Sequence, residues 1–195
     1  MRELSLHILD IARNSIEAGA DEIEIRVREN TGEDNLRFSV IDNGPGIKRE
    51  LLPVITDPFF TTKEKKKPVG LGLSLLKAAA ERCDGGITIN SEPGKGTEVT
   101  ASFRHSHIDR MPLGDLPSTI TVLITMPGLK GLRYDHEVNG RCFTFSLQEL
   151  DELSGGPPAK WPVALRLLRD YLEEGILRLY GGGNHEIPRR TGKPA

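Results

Sequence analysis

Two pairs of short strands with alternating apolar residues place the tightest limit on the fold of this chain. In DEIEIRVREN, Ile23, Ile25 and Val27 point to one face and charged side chains point to the other. LRFSVID repeats the pattern, and GITINS with TEVTASF forms a second pair. A helical segment precedes each pair, at residues 3–18 and in LGLSLLKAAAERCD. Strands with short connections and helices on one side predict an α/β two-layer sandwich with a mixed sheet.

The first helical segment, HILDIARNSIEAGA, carries an unusual polar stripe. Asp10 and Asn14 lie four residues apart, so they project from the same face, and His7 and Glu17 extend this stripe. One interpretation is the solvated side of an amphipathic helix. The other is a site for a divalent cation and water, because an amide oxygen suits magnesium and a carboxylate can accept a proton from water.

A glycine-bearing motif, DNGPG, follows the second strand directly. Asp42 can accept a hydrogen bond from an amino group such as the exocyclic amine of adenine. Gly44 and Gly46 would let a ligand approach the backbone. The same residues also form ordinary turns, so the motif alone leaves both interpretations open.

A second motif, GLGLSLL, opens a helix with Gly70, Leu71 and Gly72. Free N–H groups and the positive end of a helix dipole would face an anion there, although a flexible hinge can have the same sequence. The run TTKEKKK just upstream would bring Lys63 over phosphates, or is simply a solvated basic loop. Residues 57–69 are basic and bounded by prolines, which predicts a mobile lid.

These motifs, together with GKGT at 94–97, resemble the GHKL family of gyrase-type ATPases, Hsp90, sensor histidine kinases and MutL. The resemblance covers residues 3 to about 104, with the motifs in family order. DIARNSIEAGA resembles the N box, and its NSIEAGA part is similar to the MutL version. DNGPG resembles the G1 box, and PGKGTEVTASF the third glycine box. DPFFTTK with GLGLSLL resembles the F and G2 boxes of histidine kinases.

The resemblance implies a Bergerat fold that binds ATP and Mg²⁺. By carry-over, Asn14 would coordinate a magnesium ion that bridges the phosphates. Asp42 would read the adenine amine, with Thr97 assisting through water, and Asp10 is the candidate catalytic residue. The remaining candidate binding residues would shape the pocket and its lid or contact phosphate: Gly44, Gly46, Lys63, Gly70, Leu71 and Gly72.

Three positions depart from the family pattern. Hydrolytic members carry a glutamate general base four residues before the asparagine, and this chain has Asp10, one methylene shorter. Histidine kinases often have a basic residue where Glu17 stands. His7 lacks the surroundings of a phosphoacceptor box, so we expect it to pack or to hydrogen-bond beside the site.

Residues 1–105 are therefore expected to form the ATP-binding domain and residues 106–195 an accessory α+β appendage. Within the appendage, STITVLITMP predicts a strand. YDHEVNGRCFTF predicts a hairpin with a type I′ turn, AKWPVALRLLRDYLEEG an amphipathic helix, and the end a disordered tail. His105 and His107 indicate an exposed strand end rather than a metal site.

Composition limits the function classes that remain. A formal net charge of -2 offers no electrostatic case for nucleic acid, and no apolar run reaches membrane-spanning length. Cys83 and Cys142 are expected to be core or partly buried thiols of a reduced, cytoplasmic protein. The first hypothesis is a kinase-type regulatory module acting on a partner protein in trans. The alternatives are a slow ATPase with a conformational lid and a non-catalytic ATP sensor, with homodimerisation left open.

Overall fold

The computed structural model describes residues 2–57, 71–148, 150 and 162–181. In these ranges a six-stranded mixed sheet combines with four α-helices, which confirms the α/β class. The helices are α1 (Leu4–Glu17), α2 (Leu71–Arg82), α3 (Leu116–Ile124) and α4 (Pro162–Leu179). The strands are β1 (Glu22–Asn30), β2 (Asn35–Asp42), β3 (Gly86–Glu92), β4 (Gly96–Arg104), β5 (Gly131–Val138) and β6 (Arg141–Ser146).

The strand order across the sheet is β3-β4-β2-β1-β5-β6. Neighbouring strands are antiparallel except β1 and β5, which run parallel. Each of the strands β1, β2, β4 and β5 buries alternate side chains, so one face of the sheet meets the core. Helices α1, α2 and α4 contact strands, and α3 packs against α1 and α4.

The chain after residue 105 joins this sheet and core. β5 lies beside β1 along eight residue pairs, from Glu22 opposite Gly131 to Glu29 opposite Val138. The preceding connection is also fixed, because the backbone N–H of Leu4 donates to the carbonyl of Pro112 at 3.0 Å. Residues on both sides of position 105 therefore share one hydrophobic core.

The prediction of a strand at STITVLITMP is wrong, because this segment forms helix α3. Its β-branched residues favour a strand, but the residues before them set a helix start. The side chain of Asp115 caps the helix by accepting a hydrogen bond from the Ser118 N–H at 2.9 Å, and Pro117 lies in the first turn. One face then buries residues at helical spacing: Leu116, Ile120, Leu123 and Ile124.

Most of the other predicted elements are confirmed. Asn139 and Gly140 both have positive φ, at 49° and 83°, as the type I′ turn between β5 and β6 requires. After β2 the chain forms a 3₁₀ turn at Arg49–Leu51, which is followed by further turns. The lid at 57–69 lies outside the described residues except for Asp57, as does the tail after Gly181.

The two cysteines differ in their surroundings. Cys83 is buried, and burial raises the pKa of its thiol. Cys142 is exposed on β6, contrary to the expectation that both thiols would be at least partly buried. In the described ranges, no helix has the length and apolar character needed to cross a bilayer.

Candidate functional site

Three polar side chains form a row across one end of the sheet. Asp42 of β2 lies directly opposite Thr97 of β4, which lies directly opposite Ser91 of β3. Directly opposed residues of antiparallel strands point to the same face. This is the helix-covered face of the sheet, because Ser15 of α1 donates a hydrogen bond to Asp42. The row therefore lies on the helix-covered face at the end of the sheet, and its Asp42 end contacts helix α1.

The carboxylate of Asp42 is held by two donors. The hydroxyl of Ser15 donates to Oδ2 at 2.6 Å, and the backbone N–H of Gly44 donates to Oδ1 at 2.9 Å. Each carboxylate oxygen has a second lone pair, and the residue is only half-buried. Asp42 is thus oriented by the protein and can still accept a hydrogen bond from a ligand.

A cavity of about 580 Å³ adjoins this row, within the size range of small-ligand sites. Asp42, Ser91 and Thr97 supply polar atoms to its wall, and Ile89 and Leu52 supply apolar surface. Apolar surface beside oriented acceptors suits a flat, aromatic ring that carries an amine. DNGPG and GKGT thus both contribute residues to the wall of this cavity.

The glycines of these two motifs are required by contacts between their turns. Gly46 has φ +70°, and a Cβ there would collide with the carbonyl of Glu92. Gly96 has φ +95°, and a Cβ there would collide with the carbonyl of Asp42. The N–H of Gly94 also donates to the carbonyl of Pro45 at 2.8 Å. Glycine therefore lets the two turns pack backbone to backbone beside the cavity.

Helices α1 and α2 meet at Asp10. Its Oδ1 atom forms an ion pair with Arg13 Nη2 at 3.3 Å. Its Oδ2 atom lies so close to Gly72, in the first turn of α2, that a Cβ at Gly72 would collide with it. Asn14 is half-buried one turn further along α1. Lys63, Gly70 and the side chain of Leu71 lie outside the described residues.

His7 does not belong to the polar stripe that the sequence indicates. It is 3% exposed, and within the described part of the chain its Nδ1 atom has no hydrogen-bond partner. Burial lowers the pKa of this histidine. His7 therefore packs in the core as a neutral side chain that solvent cannot reach.

A second cluster of polar groups lies at the opposite end of the sheet, and the sequence analysis missed it. Glu29 accepts hydrogen bonds from His136 Nε2 at 3.0 Å and His105 Nε2 at 3.2 Å, and from the hydroxyl of Tyr180. The hydroxyl of Tyr134 lies 2.8 Å from the other ring nitrogen of His136. Burial raises the pKa of Glu29, but these hydrogen bonds outweigh it and hold the pKa below its ordinary value.

One sequence signal could have indicated this cluster. Glu29 continues the apolar alternation of Ile23, Ile25 and Val27, so it points to the buried face, and its side chain is 3% exposed. His105 is not a freely exposed strand end, because its side chain is 22% exposed and bound to Glu29. Over the described ranges, no three His, Cys, Asp or Glu residues are arranged to hold a metal ion.

The comparison with known families agrees with this geometry. A family model described as histidine kinase-, DNA gyrase B-, and HSP90-like ATPase matches residues 2–107. The chain belongs to this ATPase family. The matched segment contains Asp10, Asn14, Asp42 and Thr97.

Individual relatives point to the histidine kinases within this family. The chain is 42% identical to the sensor kinase CckA of Brucella abortus over 78 aligned residues. The aligned residues cover 40% of this chain and 8% of that kinase. It is 38% identical to sporulation kinase D of Bacillus subtilis over 96 aligned residues. These residues cover 49% of this chain and 19% of that kinase. The chain thus matches only a small part of each kinase.

A solved structure extends the likeness in fold beyond the family segment. The crystal structure of the N-terminal domain of a DNA repair protein superposes with a TM-score of 0.51 and 17% sequence identity. The match covers 74% of this chain and 52% of the chain of that structure. At that identity the likeness concerns the fold alone.

Proposed function

We propose that this chain binds ATP with Mg²⁺ and acts as a kinase-type regulatory module on a partner protein in trans. The observation that carries the proposal is Asp42, which Ser15 and Gly44 orient beside a cavity while its remaining lone pairs stay available. A carboxylate fixed in this way accepts from the exocyclic amine of adenine. Thr97, directly opposite, supports the same nucleobase edge through water.

The residues on α1 fit a magnesium ion that is shared with phosphates. Mg²⁺ keeps most of its ligands as water and phosphate oxygens and takes one or two from protein. Asn14 offers an amide oxygen, half-buried on the face that also carries Asp10. Bound there, magnesium would neutralise phosphate charge. In this proposal Lys63 and Gly70 contact the phosphates from the segment before α2.

The surroundings of Asp10 favour phosphoryl transfer to a partner over hydrolysis. A general base needs an oxygen free to take a proton from water. One oxygen of Asp10 is paired with Arg13, and the other lies against Gly72. His7 is buried, so it is not an accessible phosphoacceptor. The nucleophile in this proposal is therefore a side chain of another protein, and the products are ADP and the phosphorylated partner.

Product analysis with γ-labelled ATP tests this proposal. The full chain is incubated alone and with native extract, and free phosphate and labelled protein are both measured. We expect labelled protein in the extract, little free phosphate from the chain alone, and the same pattern for Asp10→Asn. The control is Glu17→Gln, an exposed carboxylate on the same helix.

The slow-ATPase alternative makes the opposite prediction. If Asp10 is a general base, Asp10→Asn lowers phosphate release by roughly 10²–10⁴-fold while ATP still binds. Asp10→Glu, which restores the longer reach of the family's glutamate, would then raise turnover. That pair of results would show that the chain hydrolyses ATP and would contradict phosphoryl transfer to a partner protein.

A further inference from the structure

Ser91 lies at the end of the polar row, and its hydroxyl joins three separate pieces of backbone and side chain. Its Oγ atom accepts from the N–H of Ile47 at 2.8 Å and lies 2.9 Å from the carbonyl of Gly96. The same atom lies 2.9 Å from Oγ1 of Thr97. Ser91 therefore connects the turn after DNGPG with the turn and strand of GKGT.

The hydrogen-bonding capacities of these groups determine where each proton lies. A serine hydroxyl has one proton and two lone pairs. The N–H of Ile47 can only donate and the carbonyl of Gly96 can only accept, so the proton of Ser91 goes to Gly96. The lone pair that remains on Ser91 accepts the hydroxyl proton of Thr97. All three hydrogen-bonding sites of Ser91 are then used.

Within the row of Asp42, Thr97 and Ser91 this arrangement leaves only acceptors for a nucleobase edge, while Arg49 and Lys95 also line the cavity. Thr97 directs its proton at Ser91 and presents lone pairs, and the carboxylate of Asp42 is also an acceptor. A row of acceptors favours a nucleobase edge with a donor, such as the adenine amine. It disfavours the carbonyl oxygen that guanine and hypoxanthine carry at the same position, because two acceptors repel each other.

We infer that Ser91 is a specificity-determining positioning residue, which excludes 6-oxopurines by turning the hydroxyl proton of Thr97 away from the nucleobase. The inference rests on the proposed adenine recognition by Asp42. When Ser91 is replaced by alanine, the hydroxyl of Thr97 is free to rotate and donate to the bridging water, which then keeps a proton that it can donate to a carbonyl oxygen. Discrimination between purines then falls, although no residue that faces the base has changed.

Calorimetric titration of the full chain with ATP and with inosine triphosphate tests this inference. Ser91→Ala is expected to lower the ratio of ATP affinity to inosine triphosphate affinity by about three- to tenfold, the size of one neutral hydrogen bond. Ser91→Thr keeps a hydroxyl and is expected to keep the wild-type ratio. Thr97→Val, which leaves the bonds of Ser91 to Ile47 and Gly96 in place, is expected to lower the ratio in the same direction.

The matched control is Ser39→Ala. Ser39 pairs with Thr100 at 2.7 Å between β2 and β4, the same kind of hydroxyl contact on the opposite face of the sheet. Its removal is expected to leave the affinity ratio unchanged. A lowered ratio in Ser39→Ala would mean that any cross-strand hydroxyl affects the pocket, and the inference would fall.

Two results separate this inference from the proposed function. If Ser91→Ala weakens both nucleotides equally, or neither, while Asp42→Ala lowers the ratio, Ser91 only holds its turn and the inference is wrong. If Asp42→Ala also keeps the wild-type ratio, adenine recognition by this row is wrong, and the role of Ser91 falls with it.

Discussion

Asp42 and Glu29 lie on neighbouring strands, point to the same face of the sheet, and sit near its opposite ends. Asp42 is opposite Ile23, and Glu29 is six residues further along β1, about 20 Å away. Each carboxylate borders a cavity of similar size, about 580 Å³ at Asp42 and about 550 Å³ at Glu29. Cavity size therefore does not distinguish the two ends.

The two carboxylates differ in how much of their hydrogen-bonding capacity the protein uses. Glu29 is 3% exposed and accepts from two histidines and a tyrosine, which come from three different parts of the chain. Asp42 is half-buried and, among the residues that the structure describes, accepts from Ser15 and Gly44 only. The comparison shows that Glu29 joins elements of the fold, whereas Asp42 is oriented for a further partner.

The largest expected effect is the loss of stability when Glu29 is removed. Glu29→Ala leaves His105, His136 and Tyr180 without their shared acceptor, which costs about 3–5 kcal/mol for a buried charged group. Urea denaturation measures this loss, and ATP affinity of the folded fraction should stay at the wild-type value. The control is Glu137→Ala, because Glu137 is a half-exposed partner of Arg28. A stable Glu29→Ala protein with weakened ATP binding would reverse the roles of the two ends.

Asp42→Ala should show the opposite pattern. It removes the acceptor for the adenine amine, so ATP affinity should fall by an amount on the order of 1–3 kcal/mol, with a smaller change in folding stability. Calorimetry measures the affinity. Asp135→Ala is the control, since Asp135 is a half-buried aspartate of β5 that accepts from Arg133 and Thr144. Equal losses in both variants would contradict a specific role for Asp42.

A smaller effect is expected at Gly96. Gly96→Ala adds a Cβ where φ is +95° and the carbonyl of Asp42 is in contact, so the turn must shift. We expect a destabilisation of about 1–2 kcal/mol, together with weaker ATP binding, because Asp42 moves with the turn. Gly86→Ala, whose added Cβ meets nothing within 4 Å, should change neither quantity in thermal unfolding and titration.

The smallest effect is the pH dependence of stability that Glu29 contributes. Because its pKa in the folded protein lies below the ordinary value of 4.5, the unfolded chain takes up this proton first as the pH falls. The stability that Glu29 contributes is complete above about pH 4.5 and is lost as the pH falls through the folded pKa. The slope from one such group is at most about 1.4 kcal/mol per pH unit.

Denaturation curves at several acidic pH values, compared with those of Glu29→Gln, isolate this contribution. The difference in unfolding free energy between the two proteins should shrink as the pH falls. A difference that stays constant with pH would mean that Glu29 does not titrate as the structure indicates.

The sequence could predict the parts of the molecule that depend on local patterns. The alternation in DEIEIRVREN, the glycines of the turns and the position of Asp42 after a strand are all visible within a few residues. The pairing of Glu29 with His136 is not, since 107 residues separate them. Helix α3 was missed because β-branched residues outweighed the capping Asp115 in the local pattern.

A structure determined with a non-hydrolysable ATP analogue and Mg²⁺ tests the central claim most directly, because the two ends offer cavities of similar size. We predict that the adenine amine lies within hydrogen-bond distance of the Asp42 carboxylate, with Thr97 close by and the cavity beside Glu29 free of nucleotide. A nucleotide bound beside Glu29 and His105, or an adenine amine that does not contact Asp42, would contradict the account.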